Sequence, residues 1–401
     1  MIDLLLSSVP AWALAHAAPL LVMVPLMLAP ALAIVPSGRI AWFVSIGATA
    51  ASLVFALILL GIVQTSSTGV ISYAMGNWLP PLGIEFRVDA LNAMILVLVS
   101  AIGVLASVMS YPTVLAEIPK EKTALFYSAF LACFAGLCGV VFLEVSSIST
   151  YVLVALGASR DRRALHAAFN YLVMGTIGAT FFIIGVGFLY AATGTLNMAD
   201  IASKLPDLTG SRTVQAGFAF IVVGLGLKAA MWPLHQWLPN AYSYSPSFVT
   251  MFLSATATKV ALYALIRFLF TVFSPRFAFE HAAFNAMLMP LGIAAMIACS
   301  FQAVFQTDVR RVLAYSSVAQ VGYMILGISV GTVAGLSAGL FHLLNHAMIK
   351  GALFMAVAGV VLTYKGTNIR DFAGLGRSAP WTMTAFAIAG LSLIGVPLTA
   401  G

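Results

Sequence analysis

The chain has 401 residues, of which 62% are hydrophobic and only 8% charged, where a soluble protein carries about a quarter. Spread over nearly the whole length at a mean hydropathy of +1.05, that composition belongs to an integral membrane protein and excludes a soluble enzyme core. The net charge of +7 comes from 19 basic residues scattered in ones, twos and threes, so nucleic-acid binding is excluded too and the basic residues read as topology signals.

From the N-terminus, residues 1–19 are apolar and small, but Asp3 replaces the positive region of a cleaved signal, so the segment is expected to be retained. Ten apolar runs each long enough for one crossing follow, at about 17–38, 40–63, 88–110, 167–192, 214–232, 247–273, 283–304, 312–329, 332–364 and 381–401. The run 123–159 is too long for one helix and barely enough for two. Charge decides it: with two crossings, Arg39, Lys120, Lys122, Arg160, Arg162, Arg163, Arg310, Arg311, Lys365, Arg370 and Arg377 fall on one side as loop residues. Only Arg87, Lys204, Arg212, Arg267 and Arg276 fall on the other, the imbalance expected of a cytoplasmic face. One crossing would leave the two sides nearly even. Cys133, Cys138 and Cys299 all lie in apolar runs without metal-ligand spacing and are expected to be buried, inert thiols.

Four ionisable residues sit where hydrocarbon is expected: Glu144, Lys228, Lys259 and Lys350. A central lysine costs about 2.5 to 3.5 kcal/mol on insertion scales, so the set needs a reason, either proton transfer or structural pairing. Lys259 lies about 18 Å from either end of its run, too far to snorkel. His342, His346 and Lys350, at i, i+4 and i+8, form one stripe about 12 Å long, which suits a proton wire, although a membrane histidine also serves as a helix-to-helix hydrogen bonder. Prolines interrupt two runs, at Met231-Trp232-Pro233-Leu234 and Gly395-Val396-Pro397-Leu398, each after a Gly-Leu-x-Leu stretch. Paired broken helices of this kind line ion pathways in transporters. His235 stands in the first break, as a proton gate or a helix cap. No phosphate loop, nucleophilic triad or haem-ligand pattern is present, and no cofactor or metal site is expected.

The stretch Gly226-Leu-Lys-Ala-Ala-Met-Trp-Pro-Leu-His-Gln-Trp-Leu-Pro-Asn-Ala-Tyr242, with Ser245-Pro246-Ser247, Lys259, Asp308-Val-Arg-Arg-Val-Leu-Ala-Tyr-Ser-Ser317 and His342 to Lys350, resembles the antiporter-like proton-pumping subunits. These occur in Mrp-type cation/proton antiporters, respiratory complex I and membrane-bound hydrogenases. The segments 144–151 and 193–200 look most like the D-type subunit of the Mrp antiporters. The resemblance covers roughly residues 80–401. It implies an all-α polytopic fold of about fourteen helices with two inverted five-helix repeats, each containing a broken helix. About twelve helices are expected in this chain: N-terminal helices over 1–122, a first repeat over 123–273, and a second over 283–401 that is incomplete at Gly401.

Carried over residue by residue, the resemblance implies that Glu144 is the modulating acid and Lys228 the lysine of the first broken helix. Lys259 would be the connecting lysine, and His342, His346 and Lys350 the relay in the second half. The expected function is proton or cation translocation within a hetero-oligomeric antiporter of a bacterial cytoplasmic membrane, with protons, sodium, lipid and other membrane subunits as partners. A quinone-linked respiratory subunit and a non-transporting membrane scaffold are the alternatives.

Overall fold

A computed structural model describes residues 9–139, 143–281 and 284–399. The long helices are α1 (Ala17–Ala33), α2 (Gly38–Thr65), α3 (Ala90–Glu117), α4 (Thr123–Gly139), α5 (Leu143–Ala155), α6 (Arg163–Thr193) and α7 (Arg212–Lys228). There follow the short α8 (Trp237–Tyr244), then α9 (Ser247–Arg267), α10 (Asn285–Val304), α11 (Val309–Ser329), α12 (Val333–Tyr364) and α13 (Pro380–Ile394). Among the described residues, eight of these segments are long and apolar enough to span a bilayer, those built on α2, α3, α4, α6, α9, α10, α11 and α12. With the shorter α1, α5, α7 and α13 they make the expected twelve. The protein is an all-α polytopic membrane protein. The run 123–159 holds two helices, as the charge distribution required, and Glu144 falls in the first turn of α5.

Two compact units emerge, one of residues 1–153 with 195–200 and the other of 154–194 with 201–401. In the first, α1 packs on α2 and α4, and α2 on α3. Hydroxyls in it bond backbone carbonyls of neighbouring helices, as suits hydrocarbon: Ser52 Oγ donates to Leu21 O at 2.9 Å and the half-buried Ser128 Oγ to Ala29 O at 2.6 Å. A hairpin of β1 (Val70–Ala74) and β2 (Glu85–Asp89), paired antiparallel with Val70 opposite Asp89, leads into α3, whose N-terminus Asp89 caps by accepting from Asn92 N at 2.9 Å.

The second unit is held by close helix contacts through glycine. Gly178 and Gly185 on α6 face Gly217 and Gly224 on α7, both pairs seven residues apart, and a Cβ at Gly224 would meet Gly178 O at 2.6 Å and Phe182 N at 2.7 Å. Both obstacles are backbone, so neither can yield, and small residues are what bring membrane helices this close. The same device joins α10 to α11, where a Cβ at Gly322 would lie 2.8 Å from Gly292 O. Gly224→Val is therefore expected to force α6 and α7 apart and lower the yield of folded protein in detergent severalfold. Gly187→Ala, with nothing within 4 Å of its Cβ, should leave it unchanged. Fluorescence-detected size exclusion compares the two.

The helices preceding the two proline interruptions end alike. α7 stops at Lys228; Ala230 turns left-handed at φ +55, Met231 N returns to Gly226 O at 2.8 Å, and Pro233 follows. α13 stops at Ile394; Gly395 turns left-handed at φ +80, Val396 N returns to Leu391 O at 3.2 Å, and Pro397 follows. In each case a six-to-one closure ends the helix and a proline prevents its continuation.

Candidate functional site

Helix α9 is the most enclosed of the spanning helices, with 94% of its most apolar stretch buried inside the protein. Lys259, at mid-helix and 2% exposed, therefore cannot reach an aqueous surface. Its Nζ donates to Ser254 O and, at 3.3 Å, to Thr258 Oγ1. Helix α12 packs on α9, with the position of a Gly351 Cβ 3.6 Å from Ala255 Cβ, and it meets α8 where the rings of Tyr242 and Phe354 lie 5.7 Å apart.

That packing sets the α12 stripe against Lys259. His342 and His346 lie one turn apart with ring centroids 6.0 Å from each other and 24° between planes. His346 is fully buried, and neither ring nitrogen finds a hydrogen-bond partner among the described residues. The charges of Lys259 and Lys350 both act on it, as does His342. Lys350, also fully buried, donates from Nζ to Leu313 O at 2.8 Å and Ser316 Oγ at 2.5 Å, both on α11. Lys259, His342, His346 and Lys350 thus form one polar cluster inside apolar surroundings.

Lys228, His235 and Glu144 are the remaining candidates from the sequence. Lys228 is the last residue of α7 and half-buried, its charge favourably placed at the negative end of the helix dipole. The turn after it is pinned by Trp237, whose indole donates to Leu227 O at 3.1 Å and whose ring stacks on Tyr171 with centroids 4.2 Å apart. His235 lies in the same turn, 6% exposed, with Nε2 3.8 Å from Cys299 Sγ. Helix α8 begins two residues later, at Trp237, and its N-cap residue Gln236 makes no side-chain capping bond. The side chain of Glu144 lies outside the described residues.

Arg310 and Arg311 correct an expectation. The sequence places both in a cytoplasmic loop, but Asp308 accepts hydrogen bonds from Arg310 N and Arg311 N and starts α11 at Val309, so both arginines occupy its first turn. Arg310 is only 5% exposed; its guanidinium donates to Ser243 O and Ser245 O at 3.3 Å each and to Ser247 Oγ at 2.5 Å. Arg311 donates to Asn240 Oδ1 at 2.7 Å. Together they fasten the turn from α8 into α9, and hence Lys259, to the helix that holds Lys350. An Asp just before a helical apolar period is an N-cap signature, and that pattern could have moved both arginines out of the loop.

Just ahead of α6, Asp161 pairs at 2.7 Å with Arg163, the first residue of that helix, whose guanidinium lies over the Tyr244 ring at 4.7 Å. The guanidinium holds the Asp161 carboxyl below the usual carboxylate range. Among the described residues no three His, Cys, Asp or Glu side chains gather to hold a metal. What the cluster offers chemically is a short series of buried basic groups, each within electrostatic reach of the next and able to hold or release a proton.

Residues 137–401 match the family described as NADH:quinone oxidoreductase/Mrp antiporter, TM. NADH-quinone oxidoreductase subunit N of Desulforudis audaxviator is 44% identical over 343 residues, which is 82% of this chain and 66% of that protein. The D-type subunit of the Na(+)/H(+) antiporter of Bacillus subtilis is 30% identical over 368 residues, 88% of this chain and 72% of that one. The chain thus spans about two thirds of the length of these relatives.

Among solved structures, a subunit of an archaeal membrane-bound sulfane sulfur reductase superposes with a TM-score of 0.86 at 31% identity, over 95% of this chain and 79% of that one. A subunit of the Mrp complex from Dietzia gives 0.86 at 26% identity, over 96% and 71%. One from respiratory complex I of Thermus thermophilus gives 0.73 at 25%, over 95% and 79%.

Proposed function

Because the chain belongs to the NADH:quinone oxidoreductase/Mrp antiporter transmembrane family, we propose that it is a proton-translocating membrane subunit of a multisubunit complex. It would pass protons along Lys259, His346 and Lys350, with His342 beside them. The observation that carries this reading is the burial of those three groups in one cluster. An unused charge in hydrocarbon is costly, and each of the two lysines has hydroxyl and carbonyl partners poised to receive its protons' hydrogen bonds. Lys228 would load the row from the α7–α8 break, His235 would gate entry there, and Glu144 would modulate Lys228. Residues 123–273 and 283–401 would be the two inverted repeats, in keeping with the like endings of α7 and α13.

The complex we favour is a quinone-linked respiratory one of a bacterial cytoplasmic membrane, with redox subunits among its partners. Support comes from the 44% identity to a respiratory N-type subunit, against 30% to an antiporter D-type subunit, even though short motifs in the sequence resemble the D type. An Mrp-type Na+/H+ antiporter is the second reading, favoured by the higher TM-score to an Mrp subunit than to a complex I subunit. Affinity purification of the tagged chain from its own membranes is expected to recover redox subunits with flavin or iron–sulfur absorbance. Recovery of a complex without redox centres, whose vesicles exchange sodium for protons, would transfer it to the antiporter reading. A complex that moves protons equally well without this subunit would leave only a scaffold.

A further inference from the structure

Gln320, on α11, bridges two elements that no pattern in the sequence connects. Its Nε2 donates to Leu393 O at 3.3 Å, and its Oε1 meets His342 Nε2 at 2.5 Å. Leu393 lies in the last turn of α13, just before the left-handed Gly395, where carbonyls have no helical N–H to accept from. The two contacts are not independent. A backbone carbonyl can only accept, so the amide must turn its NH2 toward Leu393 and its oxygen toward the imidazole. An amide oxygen also only accepts, so His342 Nε2 must carry a hydrogen, in the neutral ring as much as in the cation.

We infer that Gln320 is a positioning residue that locks His342 in the Nε2–H form and ties its ring to the end of the second broken helix, leaving Nδ1 as the one nitrogen through which His342 takes up and gives up a proton. A histidine that passed a proton in at one nitrogen and out at the other would need a ring flip or a tautomer exchange in every cycle. With Nε2 committed, His342 exchanges protons on one side only: it is a side branch that stores a proton beside His346, not a link in series. Movement at the α13 end would act on His342 through the same amide. Among the described residues, the titratable groups that act on or pack against His342 are His346 on its own helix, with Lys350 one turn beyond it, Tyr323 on α11 with ring centroids 6.2 Å away, and Lys259 on α9. Helix α13, packed on α12, carries no titratable residue.

The role in storage rests on the proton-translocation reading, whereas the tautomer does not, and the experiment separates them. The assembled complex is labelled with 15N-histidine, and His342 is assigned by difference against His342→Gln in solid-state NMR. The expected spectrum has an unprotonated Nδ1 and an Nε2–H proton shifted downfield by its hydrogen bond to the amide oxygen. That proton should lose its downfield shift in Gln320→Leu and keep it in Gln320→Glu, which retains an acceptor. An Nδ1–H ring in the native complex, or an unaltered proton in Gln320→Leu, would overturn the inference whether or not the complex transports.

In transport, Gln320→Leu removes an acceptor that bonds the imidazolium more strongly than the neutral ring. The alkaline limb of the proton-flux profile should move about one pH unit toward acid, with normal subunit content. Adding Gln320→Leu to His342→Gln should then shift nothing further. An equal shift in that background would show that Gln320 acts without His342.

Discussion

Arg310→Leu is expected to destabilise the protein by about 3 kcal/mol, read as a clear fall in the melting temperature of the purified protein in detergent. The side chain is nearly fully buried and supplies hydrogen bonds to Ser243 O, Ser245 O and Ser247 Oγ, around the point where α8 ends and α9 begins. The carbonyls at a helix C-terminus have no helical partner, and leaving each buried acceptor unsatisfied costs about 1 to 3 kcal/mol. Leucine also relieves the desolvation of the guanidinium, which is why the expected loss stays near the lower end of the sum. Arg310→Lys should fall between, because an ammonium offers a point charge in place of the planar fork that reaches three acceptors at once. Arg377→Leu, at an exposed position, should not alter the melting temperature. Equal stability of Arg310→Leu and the native protein would mean that the α8–α9 turn holds without the clamp.

Lys350→Met carries the largest expected effect on activity: proton flux through the assembled complex below about a tenth of the native value, with subunit content unchanged. Methionine has nearly the length of lysine without its charge, and replacing a buried ionic group by a well-packed apolar one of similar size is often neutral for stability. Little is left stranded. Leu313 O still accepts from Ser317 Oγ at 2.9 Å, and Ser316 Oγ still has Leu313 O at 3.0 Å. A loss of flux in a normally assembled complex therefore assigns the charge to transport and not to folding. Native flux in this variant would reduce Lys350 to a structural tie between α12 and α11.

Much of the fold could be seen in the sequence because hydrocarbon imposes simple rules. Helix lengths follow bilayer thickness, and the asymmetry of arginine and lysine between loops resolved residues 123–159 into α4 and α5. The His342–His346–Lys350 stripe was equally legible, since i, i+4 spacing fixes a common face before any tertiary contact forms. Contacts between helices have no such period. Nothing along the chain connects Gln320 with His342, or Ser316 with Lys350, because those bonds exist only once α11 packs on α12. Arg310 was hidden for a different reason: a basic pair beside an aspartate at the edge of an apolar run resembles a topology marker, and only the cap at Asp308 brings it into the helix. Likewise, the turn that carries His235 is held by Trp237 and the closure from Met231 N, contacts that no spacing along the chain announces.

Proton transfer through the buried cluster is tested most directly by proton flux through the reconstituted complex with Lys259→Met, His346→Gln and Lys350→Met made together. The expected result is a complex of native subunit composition in which the flux carried by this subunit is gone. Native flux from that triple variant would contradict it and leave the buried charges as fastenings of a scaffold.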